Sequence, residues 1–85
     1  MSGESWREAK LKMVFNDDHE KTFTVFRVEV NQASISKLRG SEIIHIPRSL
    51  VTYRRRYTHD GLRIVEFTLP QWKVEQEDLE GFEID

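Results

Sequence analysis

Tyr53-Arg54-Arg55-Arg56-Tyr57 is the stretch of the chain whose residue types could do the most distinctive chemistry. On a β-strand, alternation places Tyr53, Arg55 and Tyr57 on one face and Arg54 and Arg56 on the other. Arginine offers a planar fork of N–H donors to phosphate, and a tyrosine ring offers a face on which a base can stack. That pairing is used by proteins that hold single-stranded nucleic acid. Arg39, Arg48 and Arg63 can join such a patch through neighbouring hairpins, so Arg48, Tyr53, Arg54, Arg55, Arg56, Tyr57 and Arg63 form the candidate nucleic-acid surface. The competing reading is structural: tyrosines packed into the core and arginines solvating an edge strand, where charge resists aggregation.

A second set is acidic. Glu75, Glu77, Asp78 and Glu80, with Phe82 just after them, mark a candidate surface for a protein partner, such as an enzyme that the chain inhibits or adapts. Carboxylates near a helix C-terminus oppose the macrodipole, which points to a role other than helix stability. The same carboxylates could instead pair with the basic hairpin or simply keep a tail soluble.

Other constellations are weaker. Asp17-Asp18-His19-Glu20 follows no known metal-loop spacing and reads as a solvated turn. His19, His45 and His59 are scattered, which argues against a metal site. Ser49, His59 and Asp60 could be strung into a triad, but no nucleophile elbow surrounds Ser49. There is no cysteine for thiolate chemistry and no glycine-rich phosphate loop. The expectation is a binding module that is not an enzyme, with no cofactor and no metal.

The elements that must position these residues are mostly strands. Lys10–Phe15 and Thr22–Val30 have strand composition, and Phe26, Val28 and Val30 are taken as the inward set of the second. Ala33–Leu38 and Glu42–Ile46 flank Gly40 and read as a hairpin. Pro47 stops that ladder, and Pro47-Arg48-Ser49 reads as a helical turn. Leu50–Thr58 and Leu62–Phe67 flank Asp60-Gly61, a strong hairpin signal. Thr68 with Gln71 reads as a capping box for a helix running to about Leu79 and stopped before Gly81. Trp72, Gln76 and Leu79 share a face of that helix. If Trp72 pins it to the sheet, Trp72→Ala costs ~3–5 kcal/mol. Trp6 lies in a polar segment and should matter less.

The expected architecture is mostly β: a small antiparallel five- to six-stranded partial barrel, OB-like or SH3-like, with one C-terminal helix. Residues 1–9 are expected to be a flexible N-terminal segment, 10–79 the domain and 80–85 an acidic tail. An 85-residue chain is one domain with a thin core. The net charge of −2 conceals +6 over residues 21–65 and −6 over residues 66–85. No apolar run approaches the ~18 residues of a membrane span, and no leader sequence is visible. A soluble cytoplasmic protein is expected, with an edge strand open to homodimer formation.

Two patterns resemble a known group. One is Ala33-Ser34-Ile35-Ser36-Lys37-Leu38, then Gly40, then Ile44-His45-Ile46-Pro47-Arg48-Ser49. The other is Leu69-Pro70-Gln71-Trp72 entering an acidic helix. Together they resemble small uncharacterised proteins of phages and mobile elements, which carry an Ile-Pro-Lys/Arg-Ser step and a Pro-x-Trp C-terminal helix. The resemblance covers roughly residues 32–79. It departs at His45, where an aromatic is common, and in the longer arginine-rich hairpin. It implies a mobile-element context, in which a protein partner would be a host or phage enzyme, and a small-barrel fold, and it implies no activity.

Overall fold

A computed structural model describes residues 7–84. The chain folds as six antiparallel strands in one open sheet, with two short helices. β1 (Glu8–Asp18) is the long central strand, followed by β2 (Thr22–Phe26), α1 (Ile35–Arg39) and β3 (Ile43–Pro47). A 3-10 turn over Arg48–Leu50 leads to β4 (Arg54–His59), β5 (Leu62–Pro70), α2 (Gln71–Gln76) and β6 (Glu83–Ile84). The strand order is β3-β2-β1-β5-β4, and β6 pairs with β1 at Lys10 and Leu11.

The sheet curls into a partial barrel. Neighbouring strands lie about 4.8 Å apart, so a flat sheet would hold β2 and β5, which flank β1, near 10 Å. Instead Phe23 of β2 and Phe67 of β5 meet edge-on with ring centroids 5.2 Å apart. The concave face holds the core: Leu11, Met13 and Phe15 from β1, Phe23 and Val25 from β2, Ile44 and Ile46 from β3, and Val65, Phe67 and Leu69 from β5. Val74 and Leu79 close one end. Val14 and Ile64, paired across β1 and β5, are buried on the opposite face.

The Asp60-Gly61 turn forms as expected. Both residues have positive φ, 53° and 77°, the pattern that matches strand twist in a two-residue hairpin. The helical turn after Pro47 is also present.

Several elements differ from expectation. Ala33–Leu38 is not a strand: Ser34 accepts a hydrogen bond from the Lys37 N–H and caps α1, leaving Ile35 exposed. β3 therefore pairs with β2, Val25 opposite Ile44, and not with that segment. β2 ends at Phe26, and its inward set is Phe23 and Val25; Phe26, Val28 and Val30 are only half-buried. β4 begins at Arg54, not Leu50.

Thr68 does not cap a helix. It stays in β5, where its hydroxyl accepts the N–H groups of Thr52 and Tyr53. α2 ends at Gln76, and Asp78 at φ 59° turns the chain so that Leu79 enters the core. Val74 is the buried residue of α2, and Trp72, about 200° around the helix from it, is 47% exposed. Trp72→Ala is accordingly expected to cost about 1–2 kcal/mol, well short of a fully buried ring, which urea unfolding would measure. A loss above 3 kcal/mol would mean the ring is packed in solution. Trp6 lies outside the described residues.

Candidate functional site

Alternation on β4 does what the sequence implies: it divides the arginine-tyrosine segment between two faces. Arg54 and Arg56 pair opposite Phe67 and Val65, so they share the concave face with the core. Arg63 of β5 lies on that face too, opposite Thr58. Arg48 arrives from the turn after β3. These four side chains come from three separate elements.

What gathers three of them, Arg48, Arg54 and Arg56, is Asp18, the last residue of β1. Its Oδ1 accepts hydrogen bonds from Nη2 of Arg48 at 2.6 Å and Nη2 of Arg54 at 2.8 Å. Its Oδ2 accepts from Nη1 of Arg56 at 2.9 Å. Arg48 also donates through Nε to the Thr22 carbonyl, and Arg63 donates to the Asn16 carbonyl at 2.8 Å. Three guanidinium groups thus share one carboxylate, and Arg63 lies beside them over the Phe15 ring, so the four arginines carry a surplus of three positive charges over Asp18. Asp17 turns its own carboxylate back to accept the Asp18 N–H.

The floor of the cluster is aromatic. The Arg54 guanidinium lies 4.6 Å from the Phe23 ring centroid, and those of Arg56 and Arg63 lie 4.7 and 5.2 Å from that of Phe15. Buried ring faces under cations are attractive and fix where the arginines sit. The Phe23 contact also spans from β2 to the far edge strand β4, so the curl of the sheet and the assembly of the cluster are one event.

A β-bulge puts Asp18 in place. Phe15 faces the core, and in an unbroken strand a residue three positions on would face away. Pairing shifts between Phe15↔Val25 and Asp17↔Thr24, which leaves Asn16 as the extra residue and sets Asp18 opposite Phe23. The buried Thr24 hydroxyl secures the bulge, accepting from the Asn16 Nδ2 and the Asp17 N–H. Bulges commonly re-aim one side chain in this way.

The Asp18 carboxyl is held below its ordinary value. Its partial burial works in the opposite direction, raising the value, but the Arg54 hydrogen bond and the charges of Arg54, Arg56 and Arg48 outweigh it. A depressed folded value means that the stabilisation is fully present above the unfolded value of about 3.9 and is lost as pH falls through the folded one. Asp18→Asn should therefore flatten the decline of stability below about pH 4. Urea midpoints at several pH values would show this, and parallel profiles for the two proteins would refute it.

The opposite face carries the tyrosines. Lys10 Nζ lies 5.0 Å from the ring centroid of Tyr53, which is 41% exposed. Arg55 stacks over Tyr57 at 4.9 Å, and the Tyr57 hydroxyl donates to Glu66 at 2.8 Å. Burial raises the Tyr57 phenol, and its hydrogen bond to Glu66 and the charge of Glu66 raise it further, with Arg55 opposing. Of the candidate surface, then, Arg48, Arg54, Arg56 and Arg63 converge, while Tyr53, Arg55 and Tyr57 form a separate row. Arg39 ends α1, at the other end of β3 from Arg48.

The acidic set is placed elsewhere. Glu77 pairs with Lys73 at 3.1 Å within α2. Arg27 donates to the carbonyls of Glu77 and Asp78, which satisfies the helix end and offsets the unfavourable acids there. Among the described residues no tail carboxylate pairs with an arginine of the cluster. Glu75 and Glu80 are exposed, and Phe82 packs against the core.

His59 pairs with neighbouring Asp60 at 3.3 Å on the hairpin tip, and Ser49 lies in the turn between β3 and β4. Among the described residues no group of three or more His, Cys, Asp or Glu is arranged to hold a metal ion. None of their helices is long and apolar enough to cross a membrane.

Asp18, Phe15 and Phe23 belong to the site although sequence reasoning passed over them. Asp18 read as part of a solvated turn, and only the bulge, a tertiary feature, reveals its direction. Compared with protein-family models, curated proteins and solved structures, the chain matches none of them.

Proposed function

We propose that this protein is a non-catalytic binding module, of phage or mobile-element type, that holds single-stranded nucleic acid at the Arg48–Arg54–Arg56–Arg63 cluster. The observation that carries this reading is the surplus of three positive charges on one small surface, built on buried rings and, among the described residues, paired with no carboxylate of the acidic end of the chain. The side chains of Arg48 and Arg56 are 41% and 50% exposed, so their remaining donors can reach a ligand. β4 is an edge strand, one strand thick. A flexible single strand crossing that edge meets guanidinium groups on one side and the exposed Tyr53 ring on the other, where a base can stack.

Fluorescence anisotropy with a labelled oligodeoxythymidylate at several salt concentrations tests it. Three to four phosphate contacts predict that log K falls against log salt with a slope of about −2 to −3. A slope shallower than about −0.7, less than one contact, would sink the assignment.

A second reading rests on Trp72. A large ring 47% exposed on an acidic helix, near Glu75, suits a contact with a basic protein. Capture that persists after nuclease treatment and is lost in Trp72→Ala would favour it.

A further inference from the structure

We infer that Asp18 is a built-in competitor for the bound phosphate, occupying the guanidinium cluster until a phosphodiester of the ligand takes its place. This rests on the nucleic-acid reading above and assigns a regulation to that same surface.

The match is chemical. An aspartate carboxylate offers two acceptor oxygens and one negative charge. A phosphodiester offers two non-bridging oxygens and one negative charge. Asp18 uses both oxygens on three arginines, and each arginine gives it a single N–H. None of these contacts is the two-bond fork of which a guanidinium is capable, so the arrangement is one that a free anion can equal or exceed. The side chain is 34% exposed, open to an incoming ligand. It also sits at the last position of β1, where the ladder to β2 ends opposite Phe23 and the turn at His19-Glu20-Lys21 begins.

The carboxylate has a role in the unliganded protein. Arg48 comes from the turn after β3 and Arg54 and Arg56 from β4, and the three would repel one another without a shared anion. Asp18 holds them converged, so the surface that meets the ligand is already assembled. What it contributes in organisation it subtracts from affinity, because one anion position is already filled.

Asp18→Asn keeps the shape and removes the charge. On single strands each phosphate contact contributes about 0.7 to the salt slope, which near 0.1 M salt is a factor of about five in affinity. The variant should therefore bind an oligodeoxythymidylate of about 12 nucleotides, within the range of single-domain sites, about fivefold more tightly than the wild type. Its slope should steepen by about 0.7. Glu29→Gln, which alters an exposed carboxylate beyond the far end of β2 from Asp18, should change neither.

If Asp18→Asn is poorly folded by itself, its melting temperature with and without the oligonucleotide supplies the readout. Stabilisation by the oligonucleotide larger than in the wild type supports the inference, and equal or smaller stabilisation overturns it. Wild-type binding with a steep slope, together with unchanged or weaker binding by Asp18→Asn, overturns the inference and leaves the nucleic-acid reading in place. Absence of binding by both proteins overturns both.

Discussion

Phe23→Ala should cost about 3–5 kcal/mol of stability. A domain of this size has roughly 4–13 kcal/mol of net stability, so the loss is a large share of it and equals the whole at the lower end. The ring is fully buried. It meets Phe67 edge-on across the curl and lies 6.4 Å from Phe15. It is also the surface against which Arg54 rests. Removing it opens a cavity on the concave face and takes away the contact that draws β4 toward β2. Phe23→Leu keeps most of the volume and should cost about 1–2 kcal/mol. Chemical denaturation of both variants checks the pair. A loss below 1 kcal/mol for Phe23→Ala would mean the sheet does not close over this ring.

The second large effect is on binding. Arg48→Ala with Arg56→Ala should weaken the affinity for single-stranded DNA about 25-fold near 0.1 M salt, two contacts at about a factor of five each. The slope should shrink by about 1.4. Both side chains are substantially exposed, so the double variant should still fold, as circular dichroism would verify. Arg54 remains on its rings and on Asp18. Arg39→Ala removes the same kind of charge from the end of α1, away from the cluster, and should leave affinity within about twofold. Equal losses in the double variant and in Arg39→Ala would indicate diffuse attraction to scattered positive charge and no particular site.

Which of this could be read in the chain depends on how local the determining physics is. Asp60-Gly61 was legible because positive φ at both turn positions is a property of the turn itself. The division of Arg54 and Arg56 from Tyr53, Arg55 and Tyr57 was legible because alternation is intrinsic to a strand. The mostly antiparallel β architecture followed from the same signals. Ser34 was misread because Ala33–Leu38 holds two isoleucine or leucine residues at a spacing that suits either element, and the cap hydrogen bond decided it. Trp72 was placed inward on a helix assumed to run on to Leu79. The left-handed turn at Asp78 brings Leu79 into the core by another route and frees Trp72. Asp18 was the hardest. Its direction depends on one extra residue in β1, and that residue is held by a threonine eight positions away.

The charges on β4 have a consequence for how copies of this protein behave when concentrated. An outermost strand carrying three adjacent arginines repels its own twin, since antiparallel apposition would set like charges against like. That repulsion works against pairing of copies through this edge. A polyanion that neutralises it would also remove the barrier between neighbours, so turbidity should be greatest near charge equivalence and should clear again with excess ligand.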